Sequence, residues 1–189
     1  MHKKLPNTFI FINNHKNILY LNNSKNIGVI YRNYEDPQRS KELDIIAKVC
    51  RKKRYKLFVS NDIKLTVQSK ADGIYIPAFN KKKSFLNIEK KDLIIIGSAH
   101  NQKEIHRKIQ QKCKVIFLSP IFYMKNKKKL NIYKFNFLSR INNITFYALG
   151  GINEKNFNKL RLLNIKGFGG IRVFQTKKPA YKRPVFLSF

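Results

Sequence analysis

Eight short apolar runs, each bounded by polar or turn-forming residues, constrain the fold of this chain more than any other feature. They cover residues 8–12, 27–32, 56–59, 73–76, 93–97, 115–119, 145–150 and 170–174. Rich in Ile, Val, Phe and Tyr and nearly continuous in apolar character, they read as strands buried on both faces by flanking helices. Several intervening stretches carry the 3.6-residue period: Leu43, Ile46, Ala47 and Cys50; Ile105, Lys108 and Ile109; Phe157, Leu160 and Leu163. Start signals agree with these helices. Asn101 stands three positions before Glu104, the spacing of a capping pair, and Asn153-Glu154 follows a Gly150-Gly151 turn.

Right-handed crossovers bury both faces of a parallel sheet, so eight strands alternating with helices close most simply into one (β/α)8 TIM barrel of the α/β class. A chain of 189 residues suits a single domain that buries roughly 70% of its unfolded surface. The barrel is expected over 1–175, with a basic, Pro-containing tail over 176–189. Pro179 and Pro184 forbid an ordinary closing helix, which leaves the last α unit short or irregular. The stretch 13–25 is too short and Asn-rich for a full helix.

Cys50 and Cys113 are far apart and form no Cys-x-x-Cys pair, which argues against a zinc site or disulfide framework and points to a reducing, cytoplasmic setting. Apolar Phe9–Ile12 is interrupted by Asn13-Asn14 before a signal core or membrane span is complete. The net charge of +30 leaves two readings open. Lys-rich clusters such as Arg51-Lys52-Lys53-Arg54 and Lys127-Lys128-Lys129 are scattered rather than gathered into a nucleic-acid module. Together with abundant Asn and Ile they fit compositional drift and a solvated surface better than a polyanion partner.

In a barrel of this kind the loops after the strands carry function, and phosphate commonly sits after strands seven and eight. Strand seven ends in Ala148-Leu149-Gly150-Gly151, and Gly167-Phe168-Gly169-Gly170-Ile171 opens strand eight. Two glycine pairs about one barrel step apart favour a phosphate cradle at Gly150, Gly151, Gly170 and Ile171, where backbone N–H groups can face an anion. Other strand ends supply Arg32, Asn61-Asp62, Ser98-Ala99-His100 and Ser119-Pro120 ahead of Lys127. Asn61 or Asp62 serves equally well as a helix cap, and Ser98 as a turn residue.

The order of these motifs resembles the thiamine phosphate synthase and TenI family. The matching segments are Tyr31-Arg32, Asn61-Asp62, Ala71-Asp72-Gly73, Ser98-Ala99-His100, Ser119-Pro120-Ile121-Phe122, Lys127, Ala148-Leu149-Gly150-Gly151-Ile152 with Asn156, and Gly167-Phe168-Gly169-Gly170-Ile171. The resemblance implies a (β/α)8 barrel and a transferase that joins hydroxymethylpyrimidine diphosphate to thiazole phosphate in thiamine biosynthesis, releasing diphosphate with help from Mg2+. Its partners would be those phosphorylated small molecules; no membrane is expected, nucleic acid stays possible but not favoured, and a homodimer is left open. Carried over by position, Arg32 and Lys127 would be catalytic. Arg32, Asn61, Ser98 and Lys127 would hold the diphosphate, Asp62 would bind Mg2+, and Gly151 with Phe174 and Gln175 would hold the thiazole phosphate. Departures stand beside these matches. Ile30 and Tyr34 replace the family's Gln and Lys, Asn80 replaces the second Mg2+ carboxylate, Met124 and Asn126 replace two threonines, and Gln175 replaces a serine. They keep open an alternative, a catalytically impaired relative that retains phosphate binding.

Overall fold

The computed structural model describes residues 5–19, 21, 26–82, 92–125 and 129–171. Eight parallel strands close into a barrel in sequence order: β1 (Thr8–Ile12), β2 (Ile27–Tyr31), β3 (Lys56–Ser60), β4 (Gly73–Ile76), β5 (Ile94–Ala99), β6 (Val115–Leu118), β7 (Thr145–Leu149) and β8 (Gly167–Gly170). β8 pairs with β1 through Thr8 with Phe168, Phe9 with Gly169 and Ile10 with Gly170, which completes the ring. β8 begins at Gly167, where the glycine motif opens strand eight, and of the apolar run 170–174 only Gly170 belongs to it, with 172–174 outside the described residues. Its pairing is set by the glycines. A Cβ on Gly167 would lie 1.9 Å from the Asn7 carbonyl oxygen, and one on Gly169 would lie 3.0 Å from the Phe11 and Phe117 rings.

Alternation along the strands builds two cores. Inward residues Phe9, Phe11, Phe58, Tyr75, Phe117 and Tyr147 fill the barrel, with Phe9 meeting Phe117 and Tyr147 edge-on at 5.1 and 5.2 Å. Such pairs contribute beyond their buried area. Outward residues such as Ile10, Val29, Leu57, Ile74 and Ile116 pack beneath the helices. The barrel is narrow enough that a Cβ on Gly28 would come within 2.4 Å of the Phe9 ring.

The helices follow the sequence signals where those were strong. α2 (Arg39–Lys53) buries Leu43, Ile46, Ala47 and Cys50. α3 (Ile63–Gln68) is short, and α4 (Gln102–Gln110) buries Ile105 and Lys108. Asn101 caps α4 by accepting from the Glu104 N–H at 3.0 Å, while Glu104 Oε2 accepts from the His100 N–H at 2.8 Å. α5 (Ile132–Leu138) follows β6. Between β1 and β2 a four-residue helix, α1 (Lys16–Leu19), forms within the Asn-rich stretch. Between β7 and β8 the expected helix is instead a 3-10 helix at Phe157–Leu162, which still buries Phe157 and Leu160. The proposed tail over 176–189 lies outside the described residues. No helix among them is long and apolar enough to cross a membrane.

Both cysteines are buried and unbridged, and burial pushes each thiol up to about 12.

Candidate functional site

A cleft of about 1170 Å3 opens at the carboxyl ends of the strands, lined by residues that follow all of them except β3. It brings together six of the residues singled out in the sequence: Arg32, Ser98, Gly150, Gly151, Gly170 and Ile171. Asn61 and Asp62 lie at the same end of the barrel but do not line the cleft. Lys127, Phe174 and Gln175 fall outside the described residues.

The β7–β8 side is built from backbone. Gly150 and Gly151 have φ of +89° and +73°, a region that other residues enter only at a cost. Space imposes the same identity: a Cβ on Gly151 would lie 2.7 Å from the Phe122 carbonyl oxygen. The loop after β6 is zipped onto this turn, Ile121 N–H donating to Leu149 at 3.0 Å and Phe122 N–H to Gly150 at 3.2 Å. Asn156 holds the far side, its Nδ2 donating to the Gly151 carbonyl at 2.8 Å while its Oδ1 accepts from the Asn153 N–H at 2.9 Å. The turn is thus pinned through its carbonyls. Among the described residues, neither the Gly150 nor the Gly151 N–H has an acceptor. Backbone donors are rarely left unpaired away from water, so these two are suited to an incoming anion. The six-residue 3-10 helix beyond supplies no helix terminus for the purpose.

Arg32 faces the cleft from the β2 end. Its Nε donates to Asn13 Oδ1 at 3.3 Å and its guanidinium lies 5.7 Å from the centre of the Phe11 ring. Among the described residues it has no carboxylate partner, which leaves its charge available to a ligand. Ser98 is set from below. Its Oγ accepts from the Tyr75 hydroxyl at 2.8 Å and from the Ala78 N–H at 3.1 Å, so its own proton is free to be donated. Burial raises the Tyr75 phenol and keeps it a donor. His100 also lines the cleft, its Nδ1 2.6 Å from the Ser119 carbonyl, which makes Nδ1 the protonated nitrogen.

The β3–β4 corner is organised differently. Asp62 caps α3, Oδ1 accepting from the Leu65 N–H at 2.9 Å and Oδ2 from Arg39 Nη1 at 3.4 Å. Arg39 also donates to the Ser60 carbonyl at 2.6 Å and stacks 5.6 Å from the ring centres of both Tyr31 and Tyr34. Asn61 and Asn80 bond to each other, and Asn80 Oδ1 accepts from the Lys82 N–H at 2.8 Å. Tyr34, whose hydroxyl bonds to Ser60 Oγ at 2.6 Å, and Phe79 line the cleft at this corner, their rings 6.0 Å apart.

Sequence reasoning missed what holds this corner. Lys108 is fully buried, and its Nζ donates to the carbonyls of Pro77 at 2.7 Å and Asn80 at 3.1 Å and to Gln111 Oε1 at 2.8 Å. Gln111 Nε2 adds bonds to the carbonyls of Asn80 and Lys82. Burial lowers the Lys108 ammonium to about 8, while its three acceptors favour the charged form. The signal was present in the helical period, which placed Lys108 on an apolar face. Also missed were Lys81, Arg107, Lys125 and Tyr123, all of which line the cleft.

The donor set does not fit a Mg2+ ion of the kind the resemblance implies. Asp62 has both oxygens engaged, Asn80 offers an amide bonded on both sides, and no cluster of three His, Cys, Asp or Glu side chains occurs among the described residues.

No curated protein matches the chain. Solved structures share its fold. Thiamine phosphate pyrophosphorylase from Pyrococcus furiosus superposes with a TM-score of 0.78 at 14% identity, covering 94% of this chain and 91% of that one. KGPDC from Streptococcus mutans gives 0.66 at 12% identity over 94% and 93%. The 2-keto-3-deoxy-6-phospho-gluconate aldolase from Zymomonas mobilis gives 0.63 at 15% over 93% and 86%. At these identities the likeness speaks for the barrel alone. The sequence model of one family, described as thiamine monophosphate synthase, matches residues 23–174, from before β2 to beyond β8. With that span covering most of the barrel, the chain belongs to the thiamine monophosphate synthase family.

Proposed function

We propose that the protein is a thiamine phosphate synthase-like transferase, which couples hydroxymethylpyrimidine diphosphate to thiazole phosphate and releases diphosphate. Family membership supports the reaction class. The observation that carries the site is the pair of glycine N–H groups, without an acceptor among the described residues, in a turn that lines the same cleft as Arg32. Gly150 and Gly151, with Gly170 and Ile171, would seat the thiazole phosphate. Arg32 and Ser98 would bind the diphosphate, Arg32 by charge and Ser98 by its remaining proton; Lys127 is assigned the same task from its place in the motif. When the bond to the pyrimidine methylene breaks, its electron pair leaves with the diphosphate, so charge grows on that group. Cations already in position stabilise it without reorganising. Tyr34, Tyr75 and Phe79 offer faces for an aromatic ring.

Incubating the purified protein with both phosphorylated precursors should yield thiamine phosphate, read by mass spectrometry. No product, with no calorimetric binding of either precursor, would contradict the proposal. A second reading, a phosphate binder without turnover, is favoured by Asn80, where the family places a carboxylate, and by the engagement of Asp62 with Arg39. Precursor binding without product would select it.

A further inference from the structure

We infer that this cleft holds its phosphate-bearing ligand through fixed protein cations and needs no divalent metal ion. The inference rests on the phosphate-binding reading above and concerns how the charge is met. A Mg2+ ion bound between a protein and a diphosphate is held by one or two carboxylates with oxygens to spare. Here the carboxylate at the expected position, Asp62, is spent on the α3 cap and on Arg39, and it does not line the cleft. The second position holds Asn80, whose Nδ2 is turned to Asn61 and whose Oδ1 is taken by a backbone N–H. Arg39 places a permanent positive charge beside Asp62, where a metal ion would otherwise gain.

The cleft lining points the same way. Its cationic side chains are Arg32, Lys81, Arg107 and Lys125, against two carboxylates, Glu35 and Glu104. Glu104 is occupied by the His100 N–H and Asn101 Nδ2, so Glu35 is the one lining carboxylate without a partner among the described residues. A wall carrying this excess of positive charge attracts a phosphate ester directly and repels a free dication.

Calorimetric titration of the full chain with inorganic pyrophosphate, in EDTA and in excess Mg2+, tests this. Affinity is expected to be at least as high in EDTA, because Mg2+ competes for pyrophosphate in solution. Mg2+ alone is expected to give no saturable heat. Arg32→Ala should weaken the EDTA titration by about tenfold. An affinity gain of about tenfold or more with Mg2+, saturable binding of Mg2+ alone, or an Arg32→Ala variant that binds like the parent would each overturn the inference and leave phosphate binding standing. No pyrophosphate binding in either condition would instead overturn the phosphate reading on which it rests.

Discussion

The two sides of the barrel mouth spend their polar groups in opposite ways. On the β7–β8 side, the carbonyls of Leu149, Gly150 and Gly151 are bonded to neighbouring loops, while the N–H groups of the two cleft-lining glycines have no acceptor among the described residues. On the β3–β4 side, Asn61, Asp62, Asn80, Lys108 and Gln111 are bonded to one another or to nearby backbone. The first side is rigid and incomplete; the second is rigid and satisfied. A ligand gains most where donors are held in place with nothing to bond, since no existing contact must be broken to admit it. By this measure the glycine side is the binding side, and the amide corner is structural.

The largest effect expected from breaking this contrast is on stability, at the satisfied corner. Lys108→Met removes a donor from three buried acceptors and leaves Gln111 Oε1 without its donor, while the Pro77 and Asn80 carbonyls keep the Asn80 N–H and Gln111 Nε2, at a cost of roughly 3 kcal/mol in urea unfolding. pH sharpens this prediction. Because Lys108 titrates near 8 when folded and near its ordinary 10.5 when unfolded, the unfolded chain holds more protons between those values. Its contribution to stability is therefore present above 10.5 and lost as pH falls through 8. The gap between parent and Lys108→Met should widen by about 1 kcal/mol per pH unit as pH rises through that window. A gap independent of pH would show that the three acceptors hold the ammonium charged throughout.

On the incomplete side the expected loss is in binding. Gly151→Ala forces a Cβ against the Phe122 carbonyl in a positive-φ turn and should weaken inorganic phosphate binding by about 30-fold, with a stability loss of about 1–2 kcal/mol. If Gly151→Ala and Lys108→Met weakened phosphate equally, the two sides would not differ as described. Smallest is the effect at the aromatic rim. Phe79 is 65% exposed, and Phe79→Ala should leave inorganic phosphate affinity unchanged while weakening an aromatic phosphate ester by about threefold.

How much of this was legible in the sequence follows from the same distinction. Seven of the strands lie where apolar runs place them, because burial on both faces leaves a continuous signal in the residues themselves. β8 showed its start in the glycines from Gly167 but is marked by no apolar run, since Gly167 and Gly169 are chosen for what they avoid, Asn7 and the rings of Phe11 and Phe117, and such contacts are invisible along the chain. The 3-10 helix at Phe157–Leu162 kept the apolar spacing of an α-helix and so could not be told from one. In the site, Gly150, Gly151 and Arg32 could be placed because strand ends meet at one rim. Whether Asp62 faces a ligand or caps α3 could not, because that choice depends on Arg39, 23 residues upstream. Lys108 showed its burial through its period, but two of its acceptors, the carbonyls of Pro77 and Asn80, lie in the loop after β4, 31 and 28 residues upstream.

The central claim, that the Gly150-Gly151 turn is an anion seat, is tested most directly by following backbone amide resonances while inorganic phosphate is added. The Gly150 and Gly151 amides should shift together and saturate, with the Arg32 side chain responding at the same phosphate concentration. Glycine amides that stay still while only the surface lysine clusters respond would contradict it.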